Sequence, residues 1–233
     1  KILQQGAGVW NTWRESSVTE GLNLRDMDLR FGDMLNVNLS AVDLRGGNLT
    51  GMNLHGANLK GTNLAGAILK GASMSGAILG NTNMQSADLR EADLKGQNLS
   101  QVCLSGADLS GAILSGAQLI RSDYTGTDFT RAEMIQANLQ GSSFRGADFT
   151  HANLQGANLA GLDLSGLNFT NADLTETHLD GANLQGAVLT NARFAGSNLQ
   201  ANQLDKAGLR SADLEGVELS LGKRFSRMLG KKK

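Results

Sequence analysis

Every fifth residue of the chain from Leu24 to Leu219 is Leu, Met, Phe or Tyr, and the frame does not slip across 40 consecutive pentads. Take that residue as the centre of its pentad. Ala stands two positions before it in 20 of the 40, Asn or Asp one position before it in 26, and Gly two positions after it in 21. A period of five matches neither the roughly 3.6 of a helix nor the roughly 2 of a long flat strand. It fits a chain that turns a corner every five residues. Within a pentad, the centre and the residue two before it stand in the period-2 relation of a strand, so both point to one side, which must be the interior. A small and a large side chain then alternate inside and together fill a narrow tube. Asn, Asp and Gly suit the corners, because Asx side chains bond nearby backbone and Gly accepts φ > 0 without strain. Proline, which would remove a ladder N–H, is absent from all 233 residues. Only 4% of residues are aromatic, so regularity replaces large anchors as the way to fill the core.

Stretches such as Ala57-Asn58-Leu59-Lys60-Gly61 carry the pattern A-(D/N)-L-x-x. On that pattern the chain resembles the pentapeptide repeat family, a family numerous in cyanobacteria, over roughly residues 22–221. The resemblance implies an all-β fold, a right-handed quadrilateral parallel β-helix with four pentads per coil and short helical caps at one or both ends. Forty pentads then make about ten coils, a solenoid roughly 48 Å long at the usual strand spacing. Each coil touches only its neighbours, so both open ends need covers.

Two segments depart from the frame. Residues 1–21 hold Ile2, Leu3, Val9, Trp10 and Trp13, which form one apolar stripe of a short helix; the expected role is an N-terminal cap. Residues 222–233 depart again: with Leu221 just before them, Phe225, Met228 and Leu229 have helical spacing beside Lys223, Arg224, Arg227, Lys231, Lys232 and Lys233. The simplest reading is a short capping helix with a solvated basic end. The functional readings of this tail are an electrostatic contact with an acidic partner or membrane surface, or a homodimer contact at the C-terminal end.

The repeat region 22–221 carries 13 basic and 20 acidic side chains, against six basic residues in the tail. A period of 20 places Asp88, Asp108, Asp128 and Asp148 in one outward column, and Thr130, Thr150, Thr170 and Thr190 in a second column on the same face. The bland reading of the aspartates is that each bonds its local backbone; the sharper one is an anionic stripe. Together the two columns are the candidate partner-binding face. Phe129, Phe149 and Phe169 lie beneath it, with Tyr124 and Phe144 on the adjoining face, and their rings are expected to stack in the core.

Chemistry is sparse. His55, His151 and His178 fall on three different faces, and Cys103 occupies an outward Asn/Asp position with no histidine in register. No catalytic, metal or cofactor residue is expected, and the chain reads as non-enzymatic. The first functional reading is a scaffold presenting flat faces to a protein partner. The alternatives are a DNA-mimicking inhibitor or protector of a type II topoisomerase (gyrase), as in the quinolone-resistance branch of the family, and a targeting module using the basic tail. Direct nucleic-acid binding is not expected from an acidic rod with few outward aromatics. No apolar run reaches the roughly 18 residues of a membrane helix. The cytoplasm is the expected compartment, with a lumenal or periplasmic one left open because the chain starts at Lys1 without Met.

Overall fold

Parallel bridges join residues before a pentad centre to their equivalents 20 residues on, from Asn23–Asp43 to Asp173–Arg193, at all but three steps. The computed structural model describes residues 2–16, 21–200 and Gln203. Every coil is therefore four pentads, and the wall is a four-sided parallel ladder. Three backbone bonds recur along the wall, as at Leu24 N to Asp43 O (2.8 Å), Asp43 N to Leu22 O (2.8 Å) and Asp26 N to Arg45 O (3.0 Å). The corner between faces is a turn closed by the third residue after a centre, as at Ala57 N to Leu54 O (3.0 Å). Its left-handed residue is the one two after the centre. From Asp26 to Gly196 every residue at this position has positive φ, whether or not it is glycine.

The centres point inward as expected, and from Leu29 to Leu199 they are buried. The small position before them is mostly buried Ala; where it is Thr62, Thr82 or Thr127 the hydroxyl donates to a centre carbonyl of the coil above, as Thr62 Oγ1 does to Leu39 O (2.7 Å), while Thr177 Oγ1 donates to Leu174 O of its own coil (2.7 Å). Phe129, Phe149 and Phe169 stack with centroids 5.1 Å apart and planes within 9°, and Tyr124 stacks on Phe144 in the same way. The Tyr124 hydroxyl is buried without a hydrogen bond, and burial pushes its pKa up.

A 3-10 turn, Leu3–Gln5, leads into helix α1, Ala7–Ser16. Leu3 and Trp10 are buried against the first coil, while Val9 is exposed. The helix supplies side-chain substitutes for a missing strand. Asn38 would pair with a preceding coil; instead its N–H donates to Asn11 Oδ1 (2.7 Å) and its carbonyl accepts the Trp10 indole N–H (2.7 Å). Arg14 donates to Ser40 O at 2.7 Å, and Asn11 Nδ2 to Asn36 O at 2.9 Å. An exposed ladder edge invites pairing with other chains, and on this face α1 occupies it.

Candidate functional site

The Asp and Thr columns share one face. Bridges Asp88–Asp108, Asp108–Asp128 and Asp128–Asp148 place the aspartates on successive coils. Each bonds its own backbone: the carboxylates accept the N–H groups of Arg90, Ser110, Thr130 and Thr150 at 2.8 to 3.2 Å. The Asn residues one before a centre do the same, as Asn58 does with Lys60 N–H (3.1 Å). This bond explains why Asn and Asp interchange in the repeat: either side-chain oxygen closes the same Asx turn.

The charges are not alike along the column. Arg90 bonds Asp88 through its side chain and reaches Asp108 at 3.7 Å. That side-chain bond is the main reason the Asp88 pKa lies below the ordinary carboxylate value, with partial burial opposing it and the Arg90 N–H and charge adding to it. Asp28 is lowered by Arg30 in the same manner, and Asp123 and Asp163 by bonds from Thr125 and Ser165. Asp128 and Asp148 are in no ion pair among the described residues. The anionic part of the face lies there, next to the threonines. Thr150 Oγ1 donates to Asp148 (2.6 Å) and accepts from Asn168 Nδ2 (2.8 Å), while Thr170 Oγ1 donates to Asn168 (2.7 Å). The bond from Asn168 to Thr150 ties adjacent coils, and the other two hold each Thr against the Asp or Asn of its own coil.

One feature of this face carries no signal in the pentad pattern. The corner bordering the Thr column holds Arg131, His151, Asn171 and Asn191 at φ of 57° to 60°, four consecutive coils with a side chain in the left-handed region. Asn191 Nδ2 donates to Asn171 Oδ1 (2.9 Å), and Asn171 Nδ2 to His151 Nε2 (3.3 Å). The period of 20 aligns all four residues, but only the structure joins His151, Asn171 and Asn191 into a ladder.

The pentapeptide-repeat pattern matches residues 38–76, 77–116, 112–150, 152–191 and 182–220. The chain belongs to the pentapeptide repeat family. The fold of this pentapeptide repeat protein is accordingly the right-handed quadrilateral β-helix. It is similar to HetL, a pentapeptide repeat protein involved in heterocyst differentiation regulation from the cyanobacterium Nostoc sp. strain PCC 7120, with 29% identity over 94% of this chain and 98% of that one at a TM-score of 0.46. It is also similar to QnrB1, a plasmid-mediated fluoroquinolone resistance protein, with 19% identity over 90% and 96% and a TM-score of 0.45. A third similarity is to a thylakoid-lumen protein of Arabidopsis thaliana, with 25% identity over 61% and 72% and a TM-score of 0.24. Among curated proteins, none matches the chain significantly.

The tail residues Lys223 to Lys233, the C-terminal dimer contact and the pentads of Leu204 to Leu219 lie outside the described residues. Cys103 is exposed, with Sγ 3.9 Å from Ser105 Oγ. Among the described residues no group of three or more His, Cys, Asp or Glu is placed to hold a metal ion, and no helix is long and apolar enough to cross a membrane.

Proposed function

We propose that the protein is a non-catalytic scaffold that binds a protein partner through the Asp/Thr face. The observation that carries this reading is the corner column Arg131, His151, Asn171 and Asn191. A non-glycine residue in the left-handed region costs roughly 1–2 kcal/mol, less for Asn, and glycine was the low-cost choice at each of these corners. Four consecutive departures, on the corner that borders a hydrogen-bonded Asp/Thr array, indicate that the outward side chains have a use. The partner that suits Asp128 and Asp148 presents basic and hydroxyl groups. In the same proposal the pentads through Leu219 complete a ten-coil rod, residues 1–21 and 222–233 form its end segments, and the protein acts in the cytoplasm.

The test uses substitutions that preserve the Asx turn. Asp128→Asn with Asp148→Asn keeps the backbone bonds and removes two charges. A partner recovered by affinity capture and then titrated in purified form is expected to bind this variant about tenfold more weakly, as two lost interfacial charges imply. If that partner binds undiminished after substitution of the Asp/Thr face, the other three faces and both ends, the scaffold reading fails.

A further inference from the structure

Within residues 23–193 three steps of the ladder lack their bridge, and two of them, Ser143–Asp163 and Ile78–Asn98, lack all three recurring bonds as well. Of these two, only the step between Ile78 and Asn98 is lined wholly by uncharged side chains. All three recurring bonds are missing there: Leu79 N–H does not reach Asn98 O, Asn98 N–H does not reach Ala77 O, and Asn81 N–H does not reach Ser100 O. The steps on either side are closed, with Leu59 N to Ile78 O at 2.9 Å, Ile78 N to Ala57 O at 2.8 Å, and Leu99 N to Gln118 O at 2.8 Å. A cavity of about 360 Å³ occupies the gap, lined by Ile78, Leu79, Gly80, Asn98, Ser100 and Gln101. Ser100 Oγ is buried there without a hydrogen bond.

A cause lies inside the tube. Gln97 takes the position that Ala holds in half of the pentads, and it is buried. Its Nε2 donates to Met74 O at 2.8 Å, the kind of centre carbonyl that a Thr hydroxyl reaches elsewhere, as Thr82 Oγ1 reaches Leu59 O at 2.8 Å. The amide nitrogen stands two bonds farther from the backbone than a Thr hydroxyl, so the same hydrogen bond holds the coil of Gln97 away from the coil above. Overfilling a core position shifts backbone in this way.

An opened wall leaves backbone donors and acceptors facing a cavity, where they require a partner. The molecule contains a precedent for that partner on the same face. At the edge of the first coil, the Asn11 carboxamide accepts from Asn38 N–H and donates to Asn36 O, and Asn38, Asn58 and Ile78 are one bridged column. Outward positions from Ile78 to Ala160 on this face, among them Asn98, Gln118, Ile120 and Asn138, carry no charge, with Lys60 one coil above Gly80 and Arg121 at the corner one coil below Gln101 as the charges at the margin. Ile78, 54% exposed in a position that usually holds Asn or Asp, adds an apolar contact beside the gap. Depletion of charge around an exposed apolar residue is the composition of an interface centre.

We propose that this opening is a binding site for an amide group brought by an uncharged segment of a partner polypeptide, seated between residues 77–81 and 97–101. It is a second contact surface, separate from the Asp/Thr face, and rests on the scaffold reading only in taking a protein as the partner. The test is NMR on the full 15N-labelled chain with N-acetylglycine methylamide as probe and acetate as the charged comparator. The probe is expected to shift the amides of Leu79, Asn81 and Asn98 saturably, and acetate to leave them unmoved. The same amides should exchange with deuterium about tenfold faster than those of Leu59 and Leu99. Ser100→Val fills the gap from a side chain that bonds nothing, and should abolish the probe response. Gln97→Ala should let the wall close and slow the exchange. Shifts that do not saturate, that persist in Ser100→Val, or amides that exchange as slowly as Leu59 would overturn the site; rapid exchange without a saturable response would mean water alone fills it and overturns it too. Asp128→Asn with Asp148→Asn should leave the probe response unchanged, which separates failure of this site from failure of the Asp/Thr face.

Discussion

At each corner the backbone, not the side chain, chooses the conformation. Ala41 sits at φ 56° and Gly61 at φ 68°, equivalent positions on successive coils. The ladder bonds on both sides of a corner hold it left-handed, and the residue there bears whatever strain its Cβ brings. Ala41→Gly is therefore expected to raise stability by about 1 kcal/mol, and Gly61→Ala, whose Cβ meets nothing within 4 Å, to lower it by about the same amount. Gly46→Ala should cost about as much as Gly61→Ala, because the Asp26 carboxylate its Cβ would meet is the end of an exposed side chain and can swing aside. Urea midpoints, above the parent for Ala41→Gly and equally below it for the two alanine variants, check the argument. Charge acts at the same scale. The Asp88 pKa is lowered in the fold, so the stability it contributes is present above the unfolded value of about 3.9 and is lost as pH falls through the lower folded value. Arg90→Gln removes the first cause of that lowering. Carboxyl titration by NMR should show Asp88 moving up toward the ordinary value, and acid unfolding of this variant should lose its Asp88 contribution at a correspondingly higher pH.

At the scale of elements, α1 is a plug for one face of an open end. Trp10→Phe keeps a ring in the buried site but removes the indole N–H from Asn38 O, leaving a carbonyl at the ladder edge without its donor. A loss of about 1–2 kcal/mol is expected. Hydrogen exchange should localise it to residues 36–40, and a uniform loss along the rod would contradict the assignment. The coils and the inward centres were legible in the sequence, because one side chain in five reports directly on the interior and the frame never breaks. The stacking of Phe129, Phe149 and Phe169 followed from arithmetic in 20s. Other features had no local signature. Asn11 and Arg14 look like ordinary helix residues until a coil edge stands opposite them. Phe31 is 75% exposed at φ 55°, in a corner that residue preference alone would have refused to an aromatic. The gap at Ile78 and Asn98 depends on how far a Gln97 side chain reaches across two coils, a distance that pattern does not encode. Met52 occupies the same interior position as Gln97 with its ladder bonds intact, so size alone is not the signal.

At the scale of the whole molecule, charge density separates a scaffold from a mimic of nucleic acid. Duplex DNA carries one negative charge per ~1.7 Å of axis. The repeat region carries 13 basic and 20 acidic side chains. Spread over the roughly 48 Å expected for ten coils, that difference is about one net charge per 7 Å, about fourfold sparser than the duplex. The distribution weakens the likeness further. Arg90 lies between Asp88 and Asp108, Arg25 and Arg45 both bond Asp43, and the outward positions from Ile78 to Ala160 on the face of Asn98 carry no charge. On the Asp/Thr face this leaves a local anionic stripe at Asp128 and Asp148, bordered on the corner by Arg131 and His151, while other carboxylates outside ion pairs among the described residues, such as Asp93, Asp123, Asp163 and Asp180, are scattered over the other faces. A groove built to hold duplex DNA reads phosphate charge continuously along its length, and a stripe two coils tall satisfies only a fraction of it. Purified gyrase is therefore expected to supercoil plasmid at its full rate in the presence of submicromolar protein, at low as well as physiological salt. Inhibition that grows as salt is lowered would show that the enzyme reads this rod as DNA despite its sparse charge, and would move the binding surface from the Asp/Thr face to the length of the solenoid.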